Sequence, residues 1–314
     1  MQSVLNWLTS IIITITFILI PFSGGVAPVD PEAVLMTAGV ISDTHISHIL
    51  PIGQSFLTAA CVEMNLYKPD VFIDLGDLTQ DGAAEDMTRH FQIVSKLVKD
   101  DIDQIHITGN HDLGHSPMSN DEARANFVAT FNEYMDYKIE HNWFSHDVNG
   151  YTFIVMGDED PDNWDLPWYS EEQMAFLESE LERATADGKP VFVLAHVPLA
   201  GIHGEEHFYD GVTEEPQNTE IKNLLSKYDN VFMLTGHIHK GMSNDINVPT
   251  FVTVEGVHYL TLPSFLMPNW PQGGITNHGM AFMIEVYEGK VILRARNCIT
   301  QKWYKPFEYT VPLV

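Results

Sequence analysis

Short apolar runs alternate with amphipathic segments along most of this chain, and that alternation is typical of an α/β fold. Helical spacing, together with a capping box at Ser170-Glu171-Glu172-Gln173, predicts helices over residues 52–67, 83–99, 121–134 and 171–186. The apolar runs predict strands over residues 35–42, 71–75, 104–108, 191–195 and 231–234.

The pattern changes in two places where strands follow one another directly. Asn149-Gly150 predicts a β-hairpin of residues 144–147 and 151–156, because an Asn-Gly pair suits the tight turn between two antiparallel strands. The C-terminal part also favours strands, over residues 251–254, 257–262, 280–287 and 291–295. No internal repeat or low-complexity tract interrupts the sequence after residue 35.

The N-terminal segment differs from the rest of the chain. Residues 1–29 contain no charged side chain, and residues 11–20 form a largely apolar run followed by Pro21. Such a segment predicts a signal peptide or an uncleaved membrane anchor, unless Met36 is the true start. We therefore expect an exported protein (secreted, periplasmic or membrane-anchored facing outside) whose targeting segment, 1–29, precedes one folded domain over residues 35–314.

Charge limits the partners that this chain can have. Sixteen basic and 43 acidic side chains give its 314 residues a formal net charge of −27. Duplex nucleic acid is excluded as a partner because its phosphate backbone requires a basic surface. A small phosphorylated substrate is compatible with this charge, since bound cations can dominate the field in a site. We expect a monomer or a small homo-oligomer, with Cys61 and Cys298 as separate core thiols.

Five polar motifs follow five of the predicted strands, each at the point where its strand ends. In chain order they are Asp43-Thr44-His45, Gly76-Asp77, Gly109-Asn110-His111-Asp112, His196 and Gly236-His237-Ile238-His239. The carboxyl ends of strands in an α/β sheet converge on the ligand crevice, so these motifs should meet at one edge. Glycines before three of the polar residues fit sharp turns with close backbone approach.

Carboxylate, imidazole and amide oxygen are ligands of hard and borderline divalent metals. The predicted ligands of a first metal are Asp43, His45, Asp77 and His239, and Asp77 bridges to a second metal that also takes Asn110, His196 and His237. Two metals about 3.5–4 Å apart hold both the attacking and the leaving oxygen of a displacement at phosphorus. The motifs therefore predict a dinuclear site in which a metal-bound hydroxide attacks a phosphate ester.

His111 follows the predicted ligand Asn110, but the two metals have their full set of predicted ligands without it. We expect it to protonate the leaving alkoxide or to bind the phosphoryl oxygen, with Asp112 holding its ring in one tautomer. His203 and His207 lie in a Gly-rich acidic loop after His196 and are candidates for contact with substrate.

Taken together, the five motifs resemble the signature of the calcineurin-like metallophosphoesterase superfamily. The likeness covers about residues 36–296 and leaves no ligand position substituted. It implies a four-layer α/β/β/α sandwich of two mixed sheets, with the dinuclear site at the carboxyl edge of the strands and Fe, Mn or Zn as the metals. The segment Gly76–Gly82 and the motif at Gly109 are most similar to the cyclic-nucleotide phosphodiesterase-like branch. Gln80 stands where the purple acid phosphatase branch has a metal-binding tyrosine.

The function expected is hydrolysis of a small phosphate ester, most simply a phosphodiester. Two alternatives stay open: a phosphomonoesterase, nucleotidase or pyrophosphatase using the same site, and a non-catalytic metal-binding protein on the same fold. The second would be expected to have lost ligands or His111, and this chain has kept them.

Overall fold

The computed structural model describes residues 26–49, 51–114, 116–160, 166–204, 212–267, 269 and 277–314. In these ranges the helices are α1 (Ile52–Tyr67), α2 (Ala84–Leu97), α3 (Asn110–Leu113), α4 (Asn120–Tyr134), α5 (Glu171–Thr185) and α6 (Gln217–Leu225). The strands are β1 (Val34–Ile41), β2 (Val71–Asp74), β3 (Asp103–His106), β4 (Phe144–Val148), β5 (Tyr151–Val155), β6 (Val191–Leu194), β7 (Val231–Thr235), β8 (Phe251–Val254), β9 (Val257–Thr261), β10 (Met280–Tyr287), β11 (Lys290–Asn297) and β12 (Lys302–Pro312).

These strands form two mixed sheets of six. The first has the order β12-β11-β10-β1-β2-β3, and the second has the order β4-β5-β6-β7-β9-β8. Strands β1, β2 and β3 are parallel to one another, as are β5, β6, β7 and β9. The carboxyl ends of β1, β2 and β3 therefore lie at one edge of the first sheet, and those of β6 and β7 lie at one edge of the second.

Alternation along the buried strands explains how the sheets are layered. In β6, Phe192 and Leu194 join the core that includes strands of the first sheet, whereas Val191 and Val193 join a separate core with α5 and α6. Successive strand residues point to opposite faces, so one face of β6 meets the first sheet and the other meets the helices. Helices α1, α2 and α4 contribute to the first core, which completes the predicted four-layer α/β/β/α sandwich.

An aromatic row stabilises the face between the sheets. Phe153, Phe192 and Phe232 occupy paired positions on β5, β6 and β7. The ring centroids of Phe153 and Phe192 are 5.1 Å apart, and those of Phe192 and Phe232 are 5.4 Å apart. Cross-strand aromatic pairs favour this register, because a slip of any one strand by one residue would turn its ring toward the helices.

Most predicted elements are confirmed, with ends shifted by a few residues. The predicted turn forms at Asn149-Gly150, whose φ values are 51° and 77°. The capping box at Ser170 is only half formed: its Oγ accepts from Gln173 N, but the Gln173 side chain bonds Gly157 instead. Helix α6 and strand β12 were not predicted from the sequence. Pro306 weakens the strand pattern of β12, and the structure accommodates it because β12 is an edge strand.

Both cysteines are buried free thiols, as predicted. Among the described residues, no helix is both long and apolar enough to cross a membrane. The apolar run at residues 11–20 lies outside the described residues, so its role in targeting stays a prediction. Residues just before β1 contact the first sheet: Val29 N donates to the Glu285 carboxylate at 2.8 Å, and Arg294 donates to the Ala27 carbonyl at 3.2 Å.

Candidate metal centre

The five motifs meet where the two sheets present the carboxyl ends of their strands. Backbone hydrogen bonds join the loops: Asp43 N donates to the Gly76 carbonyl at 2.9 Å, and Gly236 N donates to the His196 carbonyl at 2.9 Å. Five of the predicted ligands have left-handed backbone conformations, namely Asp43, His45, Asp77, His237 and His239, with φ of 58°, 43°, 52°, 68° and 41°. Such conformations are uncommon for residues other than glycine, and they cluster at functional sites.

The first predicted ligand set forms a compact cluster. Asp43, His45, Asp77 and His239 each place one ligand atom so that all four atoms lie within 4.8 Å of one another. His239 Nε2 lies 3.0 Å from an Asp43 carboxylate oxygen and 3.2 Å from His45 Nε2. Two imidazole nitrogens and two carboxylates that converge in this way form a donor set suited to a divalent transition metal.

Asp77 connects this cluster to the second predicted ligand set. Its Oδ2 lies 3.6 Å from His45 Nε2 on one side and 3.3 Å from His196 Nε2 on the other. His237 Nδ1 lies 3.0 Å from the amide oxygen of Asn110. The carboxylate of Asp77 is therefore placed between the two sets, as a bridging ligand would be.

The electrostatics of the cluster favour ionised carboxylates. Burial by itself raises the pKa of Asp43, but the His239 and His196 imidazoles outweigh burial and hold that pKa at about 2. Burial acts in the same direction on Asp77, and there the charged His196 imidazole outweighs burial and holds the pKa well below its usual range. Both carboxylates carry the negative charge that a cation requires.

The protonation and orientation of the imidazoles also suit metal binding. Burial lowers the pKa of His45 and of His237 to about 3, so both rings are neutral and each keeps a lone pair. Burial likewise lowers the pKa of His196, but the Asp77 and Asp43 carboxylates raise it to about 10. Its Nδ1 lies 2.7 Å from the Leu75 carbonyl, which fixes the ring with Nε2 toward Asp77. A cation at Asp77 would take the place of the proton on His196 Nε2.

The residues present fit two divalent metals. Within the described part of the chain, the buried His196 Nε2 makes no hydrogen bond of good geometry, and the carboxylate oxygen that it faces is Asp77 Oδ2 at 3.3 Å. For His196, Nε2 is the nitrogen that faces Asp77, and a bound metal would satisfy it. The Asp77 carboxylate supplies the negative charge that two neighbouring cations would share.

Gly109 is required by close packing rather than by its backbone conformation. Its φ of −108° is ordinary, but a Cβ at this position would lie 2.2 Å from an Asp77 carboxylate oxygen. Gly109→Ala should therefore displace Asp77, weaken metal binding and destabilise the fold by about 1–3 kcal/mol, as overpacking does. Metal content and thermal unfolding measure both effects.

Gly188→Ala is the control for that substitution. Gly188 has a φ of 74°, but nothing lies within 4 Å of the point that a Cβ would occupy. The variant should lose stability through backbone strain and keep its metal. Equal metal loss in both variants would contradict the close-packing explanation for Gly109.

The structure corrects the predicted partner of the His111 ring. His111 Nδ1 lies 2.7 Å from the Gln80 carbonyl, which orients the ring. The Asp112 carboxylate instead accepts hydrogen bonds from Leu78 N, Thr79 N, Thr79 Oγ1 and Gly109 N, at 2.7–3.0 Å. The prediction that Asp112 holds the imidazole is therefore wrong, and Asp112 ties the Asp77 loop to the Asn110 loop.

His111 itself lies beside the cluster. Its ring centroid is 4.8 Å from that of His45, and its backbone N donates to an Asp77 carboxylate oxygen at 2.9 Å. The side chain is only partly buried, so it lies at the rim of the metal cluster.

Of the two histidines predicted to contact substrate, the structure describes His203 but not His207. His203 is buried, and its Nδ1 lies 3.0 Å from the Pro249 carbonyl. This contact anchors the loop, and a role for His203 in substrate binding stays a prediction. His207 lies outside the described residues.

A groove lies beside the second ligand set, and the sequence alone predicted no role for this groove. Asp158 and Tyr169 line it together with Asn110 and His196. Burial raises the pKa of Asp158 to about 7, and its carboxylate accepts hydrogen bonds from Asp160 N and Trp168 N. Asp158 follows the end of β5, and that position is the signal that could have identified it.

Comparison with known proteins assigns the chain to a family. The sequence profile of the calcineurin-like phosphoesterases matches residues 36–241, more than half of the chain. The chain belongs to the calcineurin-like phosphoesterase family. The matched region contains all five motifs and ends just after His239, so the resemblance predicted from those motifs is confirmed.

Two curated members of the family are similar in sequence. A probable glycerophosphodiester phosphodiesterase of Arcobacter nitrofigilis is 31% identical over 175 residues, which cover 55% of this chain and 58% of that protein. The serine/threonine-protein phosphatase CPPED1 of Mus musculus is 27% identical over 180 residues, which cover 55% of this chain and 54% of that protein. The similarity thus spans little more than half the length of these relatives.

The fold is also similar to that of solved phosphatase structures. A dimetal phosphatase from Danio rerio superposes with a TM-score of 0.61 at 13% identity, covering 90% of this chain and all of that one. A purple acid phosphatase from yellow lupin superposes with a TM-score of 0.59 at 16% identity, covering 88% of this chain and 53% of that one. At this identity the likeness concerns the fold alone.

Proposed function

We propose that this protein is a dinuclear-metal-dependent hydrolase of phosphate esters and that its substrate is a phosphodiester. The observation that carries the proposal is the position of Asp77, whose carboxylate lies between His45 and His196. Family membership supports the reaction class. The relative named as a probable glycerophosphodiester phosphodiesterase supports a diester substrate.

The geometry supports the following ligands for the two metals. Asp43, His45, Asp77 and His239 would hold the first ion, and Asp77, Asn110, His196 and His237 would hold the second. When bound, two such ions (Fe, Mn or Zn) stabilise charge on the phosphoryl oxygens and lower the pKa of water. A small substrate is compatible with the net charge of −27, which disfavours duplex nucleic acid as a substrate.

The protein's own residues orient the substrate and move the proton. The Gln80 carbonyl accepts from His111 Nδ1 and so orients the ring, and we assign the interaction with substrate to Nε2. Protonated at Nε2, His111 would donate to the leaving alkoxide as the ester bond breaks. Asp112 acts as a positioning residue, since it fixes the two loops that carry Asp77 and His111.

A phosphomonoester is the second candidate substrate, and the similarity to a serine/threonine-protein phosphatase favours it. The test is a hydrolysis panel on the metal-reconstituted protein. It compares bis-p-nitrophenyl phosphate, p-nitrophenyl phosphate, cyclic nucleotides, phospholipid head-group diesters and a phosphoserine peptide.

Diesters should give the highest kcat/KM in this panel. Faster turnover of p-nitrophenyl phosphate and the peptide would identify a phosphatase instead. A protein that binds its metals and hydrolyses none of the five would be a metal-binding protein without activity on phosphate esters.

Export is the second part of the proposal, and it rests on the uncharged, apolar segment at residues 1–29.

A shortened chain beginning at Val26 should be soluble, folded and active. One beginning at Asp30 should also fold, but without the bonds from Val29 N and to the Ala27 carbonyl. Each lost hydrogen bond lowers the free energy of unfolding by about 0.5–1.5 kcal/mol. Circular dichroism and thermal unfolding check this, and loss of folding in the Val26 chain would contradict a targeting role.

A further inference from the structure

Three ionisable side chains that the candidate active site does not use meet between the first sheet and α2. Asp74 is the last residue of β2, His106 is the last residue of β3, and the two are paired in the parallel register. His90 comes from α2. All three are completely buried, so each needs a polar partner inside the protein.

The spacing of these groups is that of a metal site. Each side chain offers one ligand atom so that the three atoms lie within 4.8 Å of one another. His90 Nε2 lies 3.2 Å from His106 Nδ1, the same distance that separates the Nε2 atoms of His45 and His239. Donors about 2.0–2.1 Å from a tetrahedral Zn²⁺ lie roughly 3.3 Å apart.

Neighbouring polar groups orient these side chains as an outer shell would. Gln104 Oε1 lies 3.3 Å from His106 Nε2, so the ring proton sits on Nε2 and the lone pair on Nδ1 faces His90. Thr44 Oγ1 donates to Asp74 Oδ2 at 3.2 Å. In the described part of the chain, Asp74 Oδ1 and His90 Nδ1 have no hydrogen-bond partner.

The charges nearby favour the neutral form of Asp74 unless a cation binds beside it. Burial, reinforced by the carboxylates of Asp112 and Asp43, raises the pKa of Asp74 well above its usual range. Burial lowers the pKa of His106 to about 3 and that of His90 well below its usual value, so both rings are neutral. Neutral imidazoles bind metals, and a divalent ion would favour the ionised form of the carboxylate.

We propose that Asp74, His90 and His106 bind a third divalent metal, of the Zn²⁺ type, separate from the dinuclear centre. Its three ligands are fully buried, so the role that we assign to this ion is structural. It joins the ends of β2 and β3 to α2, directly before the loops that carry Asp77 and Asn110. In the competing arrangement no metal binds, Asp74 is protonated and His90 donates a hydrogen bond to His106.

The test uses the full chain, folded in the presence of Zn²⁺, and measures the number of zinc ions per chain by elemental analysis. The wild type should hold three ions and Asp74→Asn two. Asparagine has the shape of a protonated aspartate, so this variant should keep the fold and lose only the third ion. His90→Gln provides a second, independent loss of one ion. Asp81→Asn, at a partly exposed position in the loop after Asp77, should still hold three.

Two results would overturn the third site. One is a wild type that saturates at two ions, both of which are lost in Asp77→Asn. The other is an unchanged count in both Asp74→Asn and His90→Gln, which would leave the hydrogen-bonded arrangement. The number of bound zinc ions does not depend on turnover. A protein that binds three ions but hydrolyses no phosphate ester would contradict the proposed function and still support the third site.

Discussion

Asp77→Asn is expected to abolish nearly all hydrolysis and to remove metal from the dinuclear centre. The Asp77 carboxylate faces both His45 and His196, so its neutral amide replacement loses the charge that two cations would share. Mutation of an outer-shell partner typically costs about 10–100-fold, and the loss here should exceed that range. Metal content by elemental analysis and kcat/KM on bis-p-nitrophenyl phosphate measure the two effects.

Asp81→Asn is the matched control, since it makes the same chemical change in the loop after Asp77, at a partly exposed position. It should retain wild-type metal content and activity. The dinuclear assignment fails if fully reconstituted, active wild type holds a single ion apart from any ion that is lost in Asp74→Asn, or if Asp77→Asn keeps both its metal and its turnover.

His111→Ala should separate chemistry from metal binding. The ring lies beside His45, its orientation comes from Gln80, and the predicted ligand count is complete without it. We expect the variant to keep its metals and to lose about 10²–10⁴-fold in kcat, the usual worth of a positioned acid or base. The loss should shrink with p-nitrophenolate as the leaving group, since a good leaving group needs no proton. A poor alkoxide should show the full defect.

His141→Ala provides the comparison, because His141 is exposed and stacks on Trp143, with ring centroids 4.3 Å apart. Its kinetics should not depend on the leaving group. Metal loss in His111→Ala would exclude the acid role. An equal defect for both leaving groups, with metal retained, would instead place His111 on the phosphoryl oxygen in the transition state.

The sequence was informative about the site because each motif is local and follows a strand. An apolar run followed at once by Asp43, Asp77 or His237 is visible without knowing which strands pair. The parallel arrangement of the strands then brings these ends together. The same reasoning gave the α/β class and the hairpin at Asn149-Gly150, both of which depend on short-range preferences.

Adjacency in sequence misled the prediction for Asp112. His111 and Asp112 are neighbours in α3, and successive helical residues do not face each other. The Asp112 carboxylate therefore turns back to Gly109 N and to the Thr79 loop, and a backbone carbonyl orients His111. A carbonyl partner leaves no trace in the side-chain pattern, so only the structure could identify Gln80.

Tertiary packing alone assembled the buried cluster of Asp74, His90 and His106. In the sequence, His90 and His106 are two histidines among fifteen, and neither belongs to a recognisable motif. The register of β2 on β3 pairs Asp74 with His106, and the packing of α2 on that face brings in His90. The chain thus determined by itself which strand ends carry ligands, since that information is local. Which buried polar groups meet across elements was decided by register and packing, which no local pattern records.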